Sequence, residues 1–261
     1  MPKLVADADR PFPCNMKICV IGHPRTRSSH LLETLSFYFK VPIIGEDLND
    51  YYNKLTTVDF VRTEVPVDEP LNYIRNFNIL VKKTQRLKDG VIRIHPTQLS
   101  LLPANGQVFD FSMFDFKQYD KIYITTRSNL SELVGSYIVS SLLNHFTYKS
   151  KDELYKNIKP KTINPDQYYY IKMLMYSDLI LTHLKAYFKK HKIECVELEY
   201  DTIPDYIETN FPGIVSSHIE TNYDYSSLIT NYTEIPSICK NLKDIVNTAF
   251  YQANPTLKEL L

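Results

Sequence analysis

The sequence has 261 residues, with 30 basic and 30 acidic side chains and a formal net charge of zero. A chain of this length can bury a full core in one domain, and its balanced charge gives no global field to draw it to nucleic acid or an anionic membrane, so any anion site has to be local. The four cysteines, Cys14, Cys19, Cys195 and Cys239, are widely spaced, with no CxxC pair and no companion histidines at metal-ligand intervals; they read as reduced thiols, and no metal site is expected.

Residues 1–15 carry Asp7, Asp9 and three prolines where a signal peptide would need an uninterrupted apolar stretch, and read as a loose arm ahead of a single domain over 16–261. No apolar run reaches the length of a membrane span, so a cytoplasmic chain without a transmembrane segment is expected. Lys17 to Gly22 (KICVIG) is a short, β-branched apolar run closed by glycine, the pattern of a buried strand. From Ser29 to Lys40 the apolar residues Leu31, Leu32, Leu35, Phe37, Tyr38 and Phe39 fit a helix, with Ser28 or Ser29 as its cap. Val41 to Ile44 is a second apolar run, Asn53 to Leu87 is polar and helix-compatible, and Val91 to Ile94 is a third run ahead of His95-Pro96.

Lys121 to Thr125 (KIYIT) precedes a helix-like stretch, Leu130 to Leu143, so a strand-loop-helix unit occurs twice. Asp166 to Lys190 has helical spacing, and Cys195 to Leu198 reads as the last core strand. Beyond Tyr200 the pattern reads as mixed helix and loop. Repeated βα units predict an α/β fold, a mostly parallel, P-loop-like sheet flanked by helices in one domain, with ligands outside the carboxyl ends of the strands.

The loop His23 to Ser29 (HPRTRSS) joins the first strand to its helix, where exposed N–H groups and the helix dipole favour an anion. Arg25, Thr26, Ser28 and Ser29 add side-chain donors, and a guanidinium can grip phosphate or sulfate with two parallel bonds. The same segment is also compatible with a plain connecting loop whose arginines face solvent. A Walker A loop would need glycine at Arg27 and lysine at Ser28, and the run Lys121 to Thr125 lacks a terminal aspartate for magnesium. An ordinary kinase is therefore disfavoured.

Arg25-Thr26-Arg27-Ser28-Ser29-His30-Leu31-Leu32-Glu33 resembles the RSGSTLL-type 5'-phosphosulfate loop of sulfotransferases that use 3'-phosphoadenosine-5'-phosphosulfate (PAPS), and is most similar to the bacterial trehalose 2-sulfotransferase type. Thr125 to Tyr137 (TTRSNLSELVGSY) is similar to the 3'-phosphate motif of that family, an arginine after a strand and a serine in the following helix. The resemblance implies that Arg25, Thr26, Arg27, Ser28 and Ser29 hold the phosphosulfate end of PAPS and that Arg127 and Ser136 hold the 3'-phosphate. Arg27 stands where the family has glycine, and Arg93 where it has lysine. Gly45 to Tyr52 (GEDLNDYY) resembles the segment whose glutamate is the family's base, which would be Glu46, whereas cytosolic sulfotransferases carry a histidine at a position like His95.

The function implied is transfer of a sulfuryl group from PAPS, without metal, to a hydroxyl acceptor, a carbohydrate or glycolipid, with Arg25 stabilising charge and Glu46 favoured over His95 as base. Read from the residues alone, Glu46 is also compatible with a turn position after Gly45 and His95 with a strand end before Pro96. The alternative is a nucleotide-binding protein that kept both loops and lost the chemistry.

Overall fold

The computed structural model describes residues 16–23, 25–43, 89–99, 110–142, 159–214 and 225–261. The N-terminal arm, Glu46 and the stretch Asn53 to Leu87 lie outside them. Strands β1 (Lys17–Gly22), β2 (Gly90–Ile94), β3 (Lys121–Thr126) and β4 (Val196–Glu199) pair in parallel in the order β2-β1-β3-β4. Around them lie α1 (Ser28–Phe39), α2 (Leu130–Leu142), α3 (Tyr168–His191), α4 (Ile203–Asn210), α5 (Tyr225–Leu228) and α6 (Ile235–Ala253). This is the single α/β domain with a P-loop-like parallel sheet that the repeated βα units predict.

The continuous apolar character of KICVIG follows from burial on both faces of the sheet, because successive side chains point to opposite sides. Cys19 and Ile21 of β1 join Ile92, Ile94, Ile122 and Ile124 on one face, which is covered by Ile180, Leu181, Leu184 and Phe188 of α3 and Phe250 of α6. Ile18 and Val20 join Val91, Tyr123 and Leu198 on the other face, beneath Leu31, Leu32 and Leu35 of α1 and Ile203 and Ile207 of α4. Burying each such side chain contributes roughly 1.5–3 kcal/mol, far more than strand propensity supplies. At the opposite, amino edge, the Lys17 N–H donates to Asp120 Oδ2 at 2.8 Å while the Asp120 N–H donates to the Lys17 carbonyl at 2.9 Å, fixing the register of β1 and β3.

Three boundaries differ from the sequence pattern for physical reasons. Over Val41 to Ile43, the described part of the second apolar run, the contact with the sheet is a bridge between Ile43 and Val91 rather than a strand, with the Val91 N–H on the Pro42 carbonyl at 2.9 Å. Pro42 has no N–H to give to a ladder. The helix α1 is not capped by a serine side chain; its N-cap is Arg27, with a left-handed backbone and no side-chain cap bond. The C-terminal region also holds more order than its mixed pattern suggests. The helix α6 runs 19 residues and buries Ile235, Ile238, Cys239, Leu242, Val246 and Phe250 along one stripe, with Pro236 in its first turn, where a missing N–H costs nothing.

Gly22 closes β1 where its backbone passes closest to β3. A Cβ there would collide with Thr125 Oγ1 and lie 2.8 Å from the Thr125 carbonyl oxygen. Backbone cannot yield as a flexible side chain can, so Gly22→Ala is expected to lower stability by at least about 1–3 kcal/mol, measured as a fall in the urea midpoint at unchanged slope.

Candidate functional site

All four strands deliver their carboxyl ends to one edge, and nearly every expected site residue follows one of them. After β1 the chain turns through Arg25 at φ 72° and Arg27 at φ 57°, and α1 starts at once. Left-handed residues alternating with an ordinary one are a backbone pattern that can turn successive N–H groups into an anion-binding concavity. Arg27 bears a Cβ penalty in this left-handed region that a glycine would not. Arg27 has a compensating contact, since its guanidinium lies 4.1 Å from the Tyr200 ring centroid and donates to the Tyr200 carbonyl at 3.1 Å.

Thr26 is fully buried, and its hydroxyl is committed within the protein. It donates to the His23 carbonyl at 2.8 Å and lies 2.8 Å from Thr125 Oγ1. Its single proton goes to the carbonyl, so Thr125 is the donor in the second contact. Thr26 thus ties the loop after β1 to the end of β3, and only its backbone N–H remains to face an anion. Ser28 is buried in the first turn of α1, and Ser29 Oγ accepts from Arg93 at 2.7 Å, which brings β2 into the same site.

The second expected motif is built on β3 and α2. Arg127 is held from several directions: its guanidinium lies 3.9 Å from the Tyr200 ring centroid, and one terminal nitrogen donates to Glu132 Oε2 at 2.6 Å. Its side chain is 6 % exposed, and its Nε is buried with no hydrogen-bond partner among the described residues. Burial opposes its charge, but the Glu132 bond together with Tyr200 and Tyr225 outweighs that effect and raises its pKa above the ordinary arginine value. Glu199 braces the turn on either side of Arg127, accepting from the Thr126 hydroxyl at 2.8 Å and from the Ser128 N–H.

The two motifs touch. Arg25 Nε donates to Ser136 Oγ at 2.9 Å across 111 positions of sequence. Tyr225 of α5 also hydrogen-bonds Ser136; burial raises the phenol pKa, while that bond and the charges of Arg127 and Arg25 act to lower it. Arg25, Arg27, Arg93 and Arg127 therefore converge from the ends of β1, β2 and β3, with Glu132 and Glu199 as the carboxylates on their flank. Such an arrangement suits an anion with more than one charged group.

Tyr200, Tyr225, Glu132 and Glu199 were not singled out as site residues by the sequence reading. Tyr200 and Glu199 stand at the end of β4, where the rule that ligands bind beyond the carboxyl ends of parallel strands would have pointed to them. Tyr225 had no such signal, because α5 reaches Ser136 only through tertiary packing. Glu46 lies outside the described residues. His95 follows β2 with Nδ1 3.1 Å from the Gly22 carbonyl oxygen. Among the described residues no group of three His, Cys, Asp or Glu side chains is placed to hold a metal ion, and no helix is long and apolar enough to cross a membrane. No family model and no curated protein matches the chain.

Two histidines at this edge are held neutral. Burial lowers the His23 pKa to about 3, with His95 adding to the effect, and neither ring nitrogen of His23 has a hydrogen-bond partner among the described residues. Burial first, and the Arg93 charge second, lower His95 to about 4, partly offset by the Gly22 carbonyl bond. An unfolded histidine takes up its proton near pH 6.5. Below that pH the unfolded chain binds protons that the native state refuses, so stability falls as pH drops from 6.5 toward 4. The loss is expected to be on the order of 3 kcal/mol for each group, about 6 kcal/mol together, by pH 4. Urea unfolding across that window is expected to show a shallower pH dependence for His23→Leu than for the parent protein, with the variant gaining most at the acid end.

Proposed function

We propose that the protein binds PAPS across the two motifs and transfers its sulfuryl group to a hydroxyl of a carbohydrate or glycolipid. The observation that carries this reading is the Arg25–Ser136 bond, which brings together the two segments that resemble the phosphosulfate loop and the 3'-phosphate motif. A second support is Arg127, a buried cation whose Nε–H lacks a partner among the described residues. A buried donor of that kind costs about 1–3 kcal/mol when unsatisfied, and a phosphate oxygen would remove the cost.

In this reading the N–H groups at the start of α1, with Arg25 and Ser29, hold the phosphosulfate end, and Arg127 and Ser136 hold the 3'-phosphate. Arg93 reaches the same end through Ser29. The acceptor oxygen forms a bond to sulfur as the bond from sulfur to the 5'-phosphate oxygen breaks, and 3',5'-ADP leaves with that electron pair. Most of the rate enhancement comes from positioning and from cations set where charge develops. The chain's own arginines supply those cations.

Glu46, which the sequence motif favours, is the proposed proton acceptor, and His95 is the competing assignment. A carbonyl oxygen can only accept, so Nδ1 of His95 carries the hydrogen in the Gly22 contact when the ring is neutral. Its lowered pKa keeps it unprotonated at neutral pH but makes it a weak base.

Two experiments test the reading. In calorimetry, 3',5'-ADP is expected to bind far more tightly than 5'-AMP, and Arg127→Ala to weaken 3',5'-ADP by about tenfold or more with little change for 5'-AMP, as loss of a charge-assisted contact implies. Equal affinity for the two nucleotides removes the 3'-phosphate assignment. With radiolabelled PAPS and a panel of glycans, glycolipids and small alcohols, Glu46→Gln is expected to lower transfer by roughly 100-fold or more, while His95→Asn retains substantial activity. The opposite pattern moves the base to His95, and binding without any transfer identifies a nucleotide-binding protein instead.

A further inference from the structure

The residue placed to read a 3'-phosphate is already engaged by a carboxylate of its own chain. Glu132, in the first turn of α2, accepts from one terminal nitrogen of Arg127 at 2.6 Å. The two partners are unequally placed: the Arg127 side chain is 6 % exposed and that of Glu132 is 43 % exposed. Asn129 Oδ1 accepts from the Glu132 N–H at 3.2 Å and secures the backbone from which the carboxylate reaches back. Elsewhere on the guanidinium, Nε is buried and without a hydrogen-bond partner among the described residues.

We propose that Glu132 is a built-in counter-anion that attenuates binding at Arg127, holding the cation paired when no ligand is present and weakening the grip on a doubly charged 3'-phosphate. This rests on the two-anion reading of the site. A buried guanidinium with no anion beside it is strongly destabilising, so Glu132 keeps the empty pocket tolerable. An anion accepting from Nε lies within one guanidinium's width of the Glu132 carboxylate, well inside the screening length of salt, although solvent at the half-exposed carboxylate weakens the repulsion. Like-charge repulsion there opposes binding of the phosphate, and the exposed carboxylate is free to turn toward water as the phosphate enters. The consequence for turnover is that 3',5'-ADP, which carries the same 3'-phosphate as PAPS, leaves more readily than it would from an unopposed arginine.

Glu132→Gln tests this, because it keeps size and an acceptor oxygen while removing the charge at a half-exposed position. Calorimetry is run on the parent and the variant with 3',5'-ADP, 5'-AMP and inorganic phosphate. The expected result is that the variant binds 3',5'-ADP about tenfold or more tightly than the parent, with 5'-AMP unchanged. If the parent prefers 3',5'-ADP but the variant binds it equally or more weakly, attenuation is overturned and the two-anion reading stands. If neither protein distinguishes the two nucleotides, the two-anion reading fails. Inorganic phosphate then decides: tighter binding by the variant supports Glu132 as the counter-anion of Arg127, and unchanged binding overturns it.

Discussion

Gly22 and Thr125 face each other across β1 and β3 in a space that admits no side chain on the glycine. That close approach decides where the loops at the carboxyl edge can go. It places the Thr125 hydroxyl against Thr26, and through Thr26 it pins the loop after β1 in its left-handed turns. From that loop Arg25 reaches Ser136 on α2, and Arg27 reaches Tyr200 after β4. A wider gap between the two central strands would uncouple all of these contacts at once.

The chemistry at this edge is that of several cations, held among the described residues by hydroxyls, an aromatic ring and the Glu132 carboxylate. Tyr200 takes two guanidiniums within 4.1 Å of its ring centroid, and these cation–π contacts help to crowd the arginines together. Glu199 is spent on the backbone and hydroxyl of the β3–α2 turn. His23 is kept neutral mainly by burial, and His95 by burial and the Arg93 charge, so they do not add to the positive charge at physiological pH. The edge thus gathers Arg25, Arg27, Arg93 and Arg127 in a chain whose formal charge is zero.

The helical layers serve this edge unequally. The C-terminal half of α3 covers the sheet, whereas its N-terminal half packs with α2, α5 and α6 in a separate apolar cluster that includes Leu133, Ile171, Leu174, Tyr225 and Ile235. That second cluster fixes the position of α2, and with it Ser136 and the Arg127–Glu132 pair. Substitutions deep in it act on the Ser136 and Arg127–Glu132 contacts at the strand ends from a distance, because they move the helix that carries these groups.

The sequence by itself determined the strand-loop-helix units, the parallel sheet, and the placement of Arg25, Arg27, Arg127 and His95 just beyond strand ends, because hydrophobic period and chain direction are local properties. It also showed the spacing of Arg127 and Ser136 on a turn and the helix after it. Only the tertiary structure decided that Thr26 braces the loop from within, that Arg27 pays for its left-handed backbone by stacking on Tyr200, that Tyr225 reaches Ser136, and that Glu132 occupies Arg127. Each of these depends on how near two distant segments come, and sequence pattern carries the face of a residue but not its distance to a partner a hundred positions away.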